Sequence, residues 1–208
     1  MRLPARIAPV DRGKGDRRSV DTRASRGLAS PTDSSANTPM SARMNPSVSL
    51  RPFDATLLPQ LAQWFVQPHV APWFPERDAN LAWARRPPPG GAQAAICENE
   101  QAVGWLRWQR VSREVLDSLG FDDIPANSVD ADILLGDAAS VGQEVGPTAL
   151  RLLIERLRGD GDVPMVGLTT NVKNTRAHRA FEKAGFRIDR QYDPNGFGLC
   201  HLMLLDLR

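Results

Sequence analysis

One stretch of the chain gathers residues whose types and spacing could do chemistry. Asp132 opens an otherwise apolar run, Ile133-Leu134-Leu135, which ends at Gly136. Val141-Gly142-Gln143-Glu144-Val145-Gly146-Pro147 then leads into a helical pattern. Glycines let the backbone turn its amides toward one point, and a helix start adds unpartnered N–H groups with a partial positive charge. Strand, turn and helix start together make a cradle for a phosphate or pyrophosphate. The acid at the strand start reads in two ways: a solvated strand end, or a group that holds an ammonium ion and takes its proton. Further on, Asn174-Thr-Arg-Ala-His-Arg-Ala-Phe-Glu-Lys-Ala-Gly-Phe186 begins with a residue suited to cap a helix.

Aromatic and charged residues add to this. Of the five tryptophans, Trp73 and Trp105 are candidates for an aromatic wall against a sugar or a cation, with core packing as the alternative. Alternation along a strand puts Trp105 and Arg107 on one face and Leu106 and Trp108 on the other. Segment 113–132 carries six acids against Arg113 alone, a local net charge of −5. It is either a solvated loop or a lure for a polyamine-like ligand. The three histidines form no metal-ligand cluster. Cys97 and Cys200 lie far apart in apolar runs and read as buried free thiols of a reducing compartment.

These groups need a scaffold. A first strand is expected at Val48–Phe53, followed by a helix capped by Asp54 with Leu57, Leu58, Leu61 and Phe65 at helical spacing. Pro68 to Pro75 breaks it, and a short helix follows over 76–85 until Pro87-Pro-Pro-Gly-Gly91. Residues 93–98 and 102–111 read as a hairpin turning at Asn99-Glu100. Residues 112–128 are a charged loop with one helical turn. Strand 129–136, helix 147–158, strand 163–169, helix 174–184 and strand 186–192 complete a crossover pattern. Asp193-Pro-Asn-Gly196 turns the chain into a last strand at 197–206. The fold class is α/β (α+β), with several antiparallel strands and one parallel crossover at the centre.

Composition divides the 208 residues in two. Residues 1–46 hold no aromatic side chain and a net charge of +5, and are expected to be a disordered basic extension. Residues 47–208 form one domain with a net charge of −3. That mild acidity suits a cationic small molecule and argues against nucleic acid. No segment is apolar enough for a membrane span, so a soluble cytoplasmic protein is expected. Nothing separates a monomer from a homodimer.

The strand at Asp132, the Gly146-Pro147 helix start and the Asn174 to Phe186 segment, in this order and spacing, resemble the GNAT superfamily of N-acetyltransferases. The resemblance spans residues 48–206. With His69-Val-Ala-Pro-Trp-Phe74 as a substrate loop, it is nearest the aminoglycoside 6'-N-acetyltransferase-like branch. It implies a mostly antiparallel sheet splayed at its central parallel strands, acetyl-CoA as co-substrate, no metal, and a small-molecule amine as acceptor.

The resemblance also assigns roles. Asp132 would be the catalytic group, holding the acceptor amine and taking its proton. Leu134, Leu135 and Gly136 would offer main chain to the pantetheine arm, one amide serving the oxyanion. Val141 through Pro147 (Val141, Gly142, Gln143, Glu144, Val145, Gly146, Pro147) would hold the diphosphate, and Asn174 the cofactor arm. Trp73, Trp105 and Asp132 would contact the acceptor. Three positions depart from the family pattern: Val141 stands where the loop usually has arginine or glutamine, Glu144 where it has glycine, and Phe181 where many members carry a tyrosine that protonates the leaving thiolate. Other acceptors, a siderophore-type amine or a protein amine, and a non-catalytic acyl-CoA sensor remain compatible with the sequence.

Overall fold

The computed structural model describes residues 47–194 and 196–208. The expectation for residues 1–46 lies outside the described residues. A seven-stranded sheet runs in the order β1-β2-β3-β4-β5-β7-β6. Its strands are β1 (Val48–Pro52), β2 (Gly91–Glu98), β3 (Gln101–Arg110), β4 (Val129–Leu135), β5 (Met165–Asn171), β6 (Arg187–Tyr192) and β7 (Cys200–Asp206). Every neighbouring pair is antiparallel except β4 and β5. The β2–β3 hairpin turns at Asn99 and Glu100, whose φ angles of +47° and +72° suit the tight turns that match strand twist. The closing strand β7 inserts between β5 and β6, an order that local patterning does not encode.

Helices cover both faces. On one face α4 (Val145–Asp160) buries Val145, Ala149, Leu150, Leu153, Ile154 and Leu157, a stripe repeating at helical spacing. These pack with Leu106, Trp108, Val129, Val166 and Leu168 into the main core. Phe181 and Ala184 of the α5 (Thr175–Lys183) end of the chain join the same cluster. Beneath the opposite face, α1 (Leu58–Trp64) and α2 (Arg77–Arg85) bury Leu61, Trp64 and Leu81 against Trp105 and Leu134. A third cluster forms around α3 (Arg113–Ser118), with Leu116, Phe121 and Ile124 against Leu202. No helix among the described residues is long and apolar enough to cross a membrane.

Candidate active site

The site follows from where two strands part. β4 and β5 pair only through Val129 with Val166 and Asp130 with Gly167. Beyond these residues they diverge, leaving the β4 main chain from Ala131 to Leu135 facing a gap. Two cavities open into it, one of about 180 Å³ and one of about 780 Å³. Trp73, Ile133, Asn174 and Phe181 line both, so the cavities meet along these side chains.

The larger cavity runs along the start of α4. Gly142 and Glu144 turn the chain with φ of +83° and +61°, and no side chain caps the helix. Its first amides are therefore directed to whatever enters the groove. Glu144 occupies a left-handed conformation that glycine adopts without strain. Its carboxylate is held by Lys183 at the end of α5 in an exposed ion pair. The same wall carries Lys173, Arg176 and Arg179, so cations outnumber Glu144 along the groove. The loop between β4 and α4 is pinned where the buried Ser140 hydroxyl donates to Glu98 of β2. Within the larger cavity, His69 Nε2 lies 3.0 Å from the Leu135 carbonyl oxygen.

The smaller cavity is built around a charge pair. Arg107 lies opposite Asp132 in the β3–β4 register; its Nε donates to Asp132 Oδ2 at 2.8 Å, and a terminal nitrogen forms an ion pair with the same oxygen at 2.7 Å. Arg107 is 5 % exposed and lies 5.0 and 5.3 Å from the ring centroids of Trp83 and Trp105. Cation–π contact and the carboxylate thus replace the water that the guanidinium gives up. Two residues back, Asp130 has its carboxyl pushed well above the usual carboxylate range, chiefly by burial and further by the Asp132 charge, with Arg107 opposing. Close by, the Tyr192 hydroxyl and Thr169 Oγ1 are 2.7 Å apart. Burial also raises the Tyr192 phenol above its ordinary value.

This perturbation sets a stability prediction. Between the unfolded carboxylate pKa, about 3.9, and the raised folded value, the folded protein keeps a proton that the unfolded chain has released. Stability should therefore fall as pH rises through that window. Asp130→Asn removes the ionisation and is expected to flatten the fall. Urea denaturation at stepped pH should show the variant gaining on the wild type from about pH 4 upward.

The residues named from sequence divide clearly. Leu134, Leu135, Val141, Gly142, Glu144, Gly146, Pro147 and Asn174 line the larger cavity, Asp132 lines the smaller, and Trp73 lines both. Gly136, Gln143 and Val145 line neither; Val145 is wholly buried, and Gly136 makes room for the Trp64 indole. Trp105 is also wholly buried, with Nε1 donating to Gln93 Oε1 at 2.9 Å. It supports Arg107 from beneath, so the wall candidate in the cavity is Trp73. Asn174 caps α5, its Oδ1 accepting from the Ala177 amide at 3.2 Å, while lining both cavities. The acidic segment does not converge on the cavity: Asp117 pairs with Arg113 and Asp123 with Arg190.

Arg107 and Lys183 are functional candidates that the sequence alone does not mark, while His69 and Asp130 enter it only as members of the substrate loop and the acidic segment. For Arg107 a signal existed, because an arginine inside an apolar strand needs a buried acid. The cross-strand register that chooses Asp132 was not readable.

Comparison with known proteins fits this geometry. Residues 47–187 match the family description "Acetyltransferase (GNAT) domain". The chain is 26% identical over 151 residues to the aminoglycoside N(6')-acetyltransferase type 1 of Klebsiella pneumoniae, covering 68% of this chain and 75% of that protein. Crystal structures of aminoglycoside acetyltransferase AAC(6')-Ib, one with coenzyme A and one with coenzyme A and kanamycin, share the fold. Both superpose with a TM-score of 0.65 at 23% identity, over 77% of this chain and 95% of theirs. A parted strand pair, a glycine turn into an uncapped helix and a family match across most of the chain agree: the protein belongs to the GNAT acetyltransferase family.

Proposed function

We propose that this protein transfers the acetyl group of acetyl-CoA directly to a primary amine of a small cationic acceptor. The observation that carries the reading is the gap between β4 and β5, which joins a cation-lined groove to a cavity over a carboxylate.

The groove residues fit the donor. The α4 amides and the basic residues Lys173, Arg176, Arg179 and Lys183 suit its phosphates, and the β4 main chain suits its amide-bearing arm. Acetyl-CoA supplies the acetyl group as a thioester. On the other side of the gap, Asp132 holds the acceptor ammonium and receives its proton, directly or through water. Arg107 fixes the carboxylate on one oxygen and so sets its direction. Main-chain amides along β4 stabilise negative charge developing on the carbonyl oxygen. The reading is supported by the curated relatives, which are named for acetylation of an aminoglycoside amine.

The test is release of free thiol from acetyl-CoA in the presence of a panel of amines. Amine-dependent release is expected; acetyl-CoA binding without release on any amine overturns the reading.

Two variants follow from the departures in the groove. Glu144→Gly frees the left-handed position from Cβ strain and removes a carboxylate from the diphosphate end. The lost ion pair is exposed and worth about 0–1 kcal/mol. A several-fold lower KM for acetyl-CoA is expected from initial-rate kinetics, with kcat little changed. Phe181→Tyr places a hydroxyl where the cavities meet. A thiol of pKa about 8.5 leaves without much help, so kcat should rise at most about tenfold, seen as a steeper rate at saturating substrate.

A further inference from the structure

The geometry points to an acceptor that carries one amine on an aromatic body, an arylalkylamine, rather than a polycation. This inference rests on the acetyl-transfer reading and narrows its substrate class.

Among the described residues, the charges that line the smaller cavity are Glu76, Arg107 and Asp132, a net charge of −1. Asp132 already has a guanidinium on one of its oxygens. Asp130, next on the same face of β4, is held toward its neutral form by burial and by Asp132. The remaining acids of segment 113–132 line neither cavity. An acceptor with three or more ammonium groups would thus bring its charges to a wall that neutralises one. Beyond Asp132 and Glu76, each further ammonium would lose water without gaining a carboxylate, and discrimination of this kind works against the ligand that leaves charges unpaired.

The rest of the wall is apolar and aromatic. Trp73 and Phe197 are 37 % and 43 % exposed, two of the five large hydrophobic side chains that stand out at the surface of the described chain. Both line this cavity, together with Phe74. Exposed aromatic rings at the mouth of a small cavity gain by covering a flat apolar body. At about 180 Å³, the cavity accommodates a single ring and its amine arm. Amine toward Asp132 and ring between Trp73 and Phe197 is the arrangement that leaves fewest groups unsatisfied.

The experiment compares 2-phenylethylamine, spermidine and kanamycin as acceptors for the full chain with saturating acetyl-CoA, by thiol release. It is paired with calorimetric titration of each amine into the CoA-loaded protein. At least tenfold higher kcat/KM for 2-phenylethylamine is expected. Trp73→Ala and Phe197→Ala should each raise its KM about tenfold, the effect of an aromatic contact of about 1.4 kcal/mol. Turnover of kanamycin or spermidine equal to or faster than 2-phenylethylamine overturns the inference while acetyl transfer stands. Binding of 2-phenylethylamine that needs Trp73, with no turnover of any amine, supports the pocket assignment and overturns acetyl transfer. If 2-phenylethylamine neither binds nor reacts, the inference falls.

Discussion

Asp132→Asn is expected to lower kcat by about 10²- to 10⁴-fold, the usual worth of a positioned proton acceptor. KM for acetyl-CoA should stay within about twofold, because the donor groove lies on the far side of the gap from this carboxylate. The substitution also leaves Arg107 without a full counter-charge in a site where it is 5 % exposed. Breaking a buried pair from one side costs about 3–5 kcal/mol. The Trp83 and Trp105 rings keep part of that stabilisation through their contact with the guanidinium. A catalytic loss and a folding loss are separable by pH. If Asp132 accepts the proton, the variant should recover rate as pH approaches the acceptor amine's own pKa, where free amine exists in solution. A structural role alone gives no such recovery, and thermal unfolding would account for the whole loss. Activity within about threefold of wild type would reduce Asp132 to an anchor for Arg107.

How far the sequence discloses this site depends on which contacts are local. The strand at Asp132, the turn through Gly142 and the start of α4 are contiguous, so their residue types alone define them. The alternation that puts Trp105 and Arg107 on one face also holds in the structure, since side-chain direction in a strand is a local property. What Arg107 faces is not local. β3 and β4 are separated by residues 111–128, with α3 and its own hydrophobic cluster between them, and no tight turn fixes their register. Burial of Trp105 escaped for the same reason: α1 and α2, from a distant part of the chain, cover that face. Glu144 shows the converse. Its misfit to a phosphate cradle was legible, and the basic partner 39 residues away that draws its carboxylate was not. The acidic segment read as one patch because charge was summed along the chain, while folding distributes those acids among Arg113, Arg190 and the β4 face.

Gly136→Ala should be the most damaging single methyl next to the donor groove, which Gly136 itself does not line. A Cβ at this position would lie 1.9 to 2.1 Å from Cγ, Cδ1 and Cδ2 of the Trp64 indole. Glycine is required here for space, since its φ is not in the left-handed region. Trp64 is 6 % exposed and enclosed by Leu61, Phe65 and Leu134, so the ring has no free direction in which to move. Strand β4 is equally constrained, for the Gly136 amide donates to the Val103 carbonyl at 2.8 Å. The clash must then be relieved by shifting the end of β4 together with Leu135 and the turn that follows. Overpacking of this kind costs about 1–3 kcal/mol, and the displaced main chain is the part offered to the donor. KM for acetyl-CoA is expected to rise more than about tenfold, with a lower midpoint in thermal unfolding. Trp64→Leu in the same chain removes the obstructing ring while filling much of its space. A double-mutant cycle should therefore return a favourable coupling of about 1–3 kcal/mol between the two positions. Simple additivity of the two losses would place the fault elsewhere than in this contact.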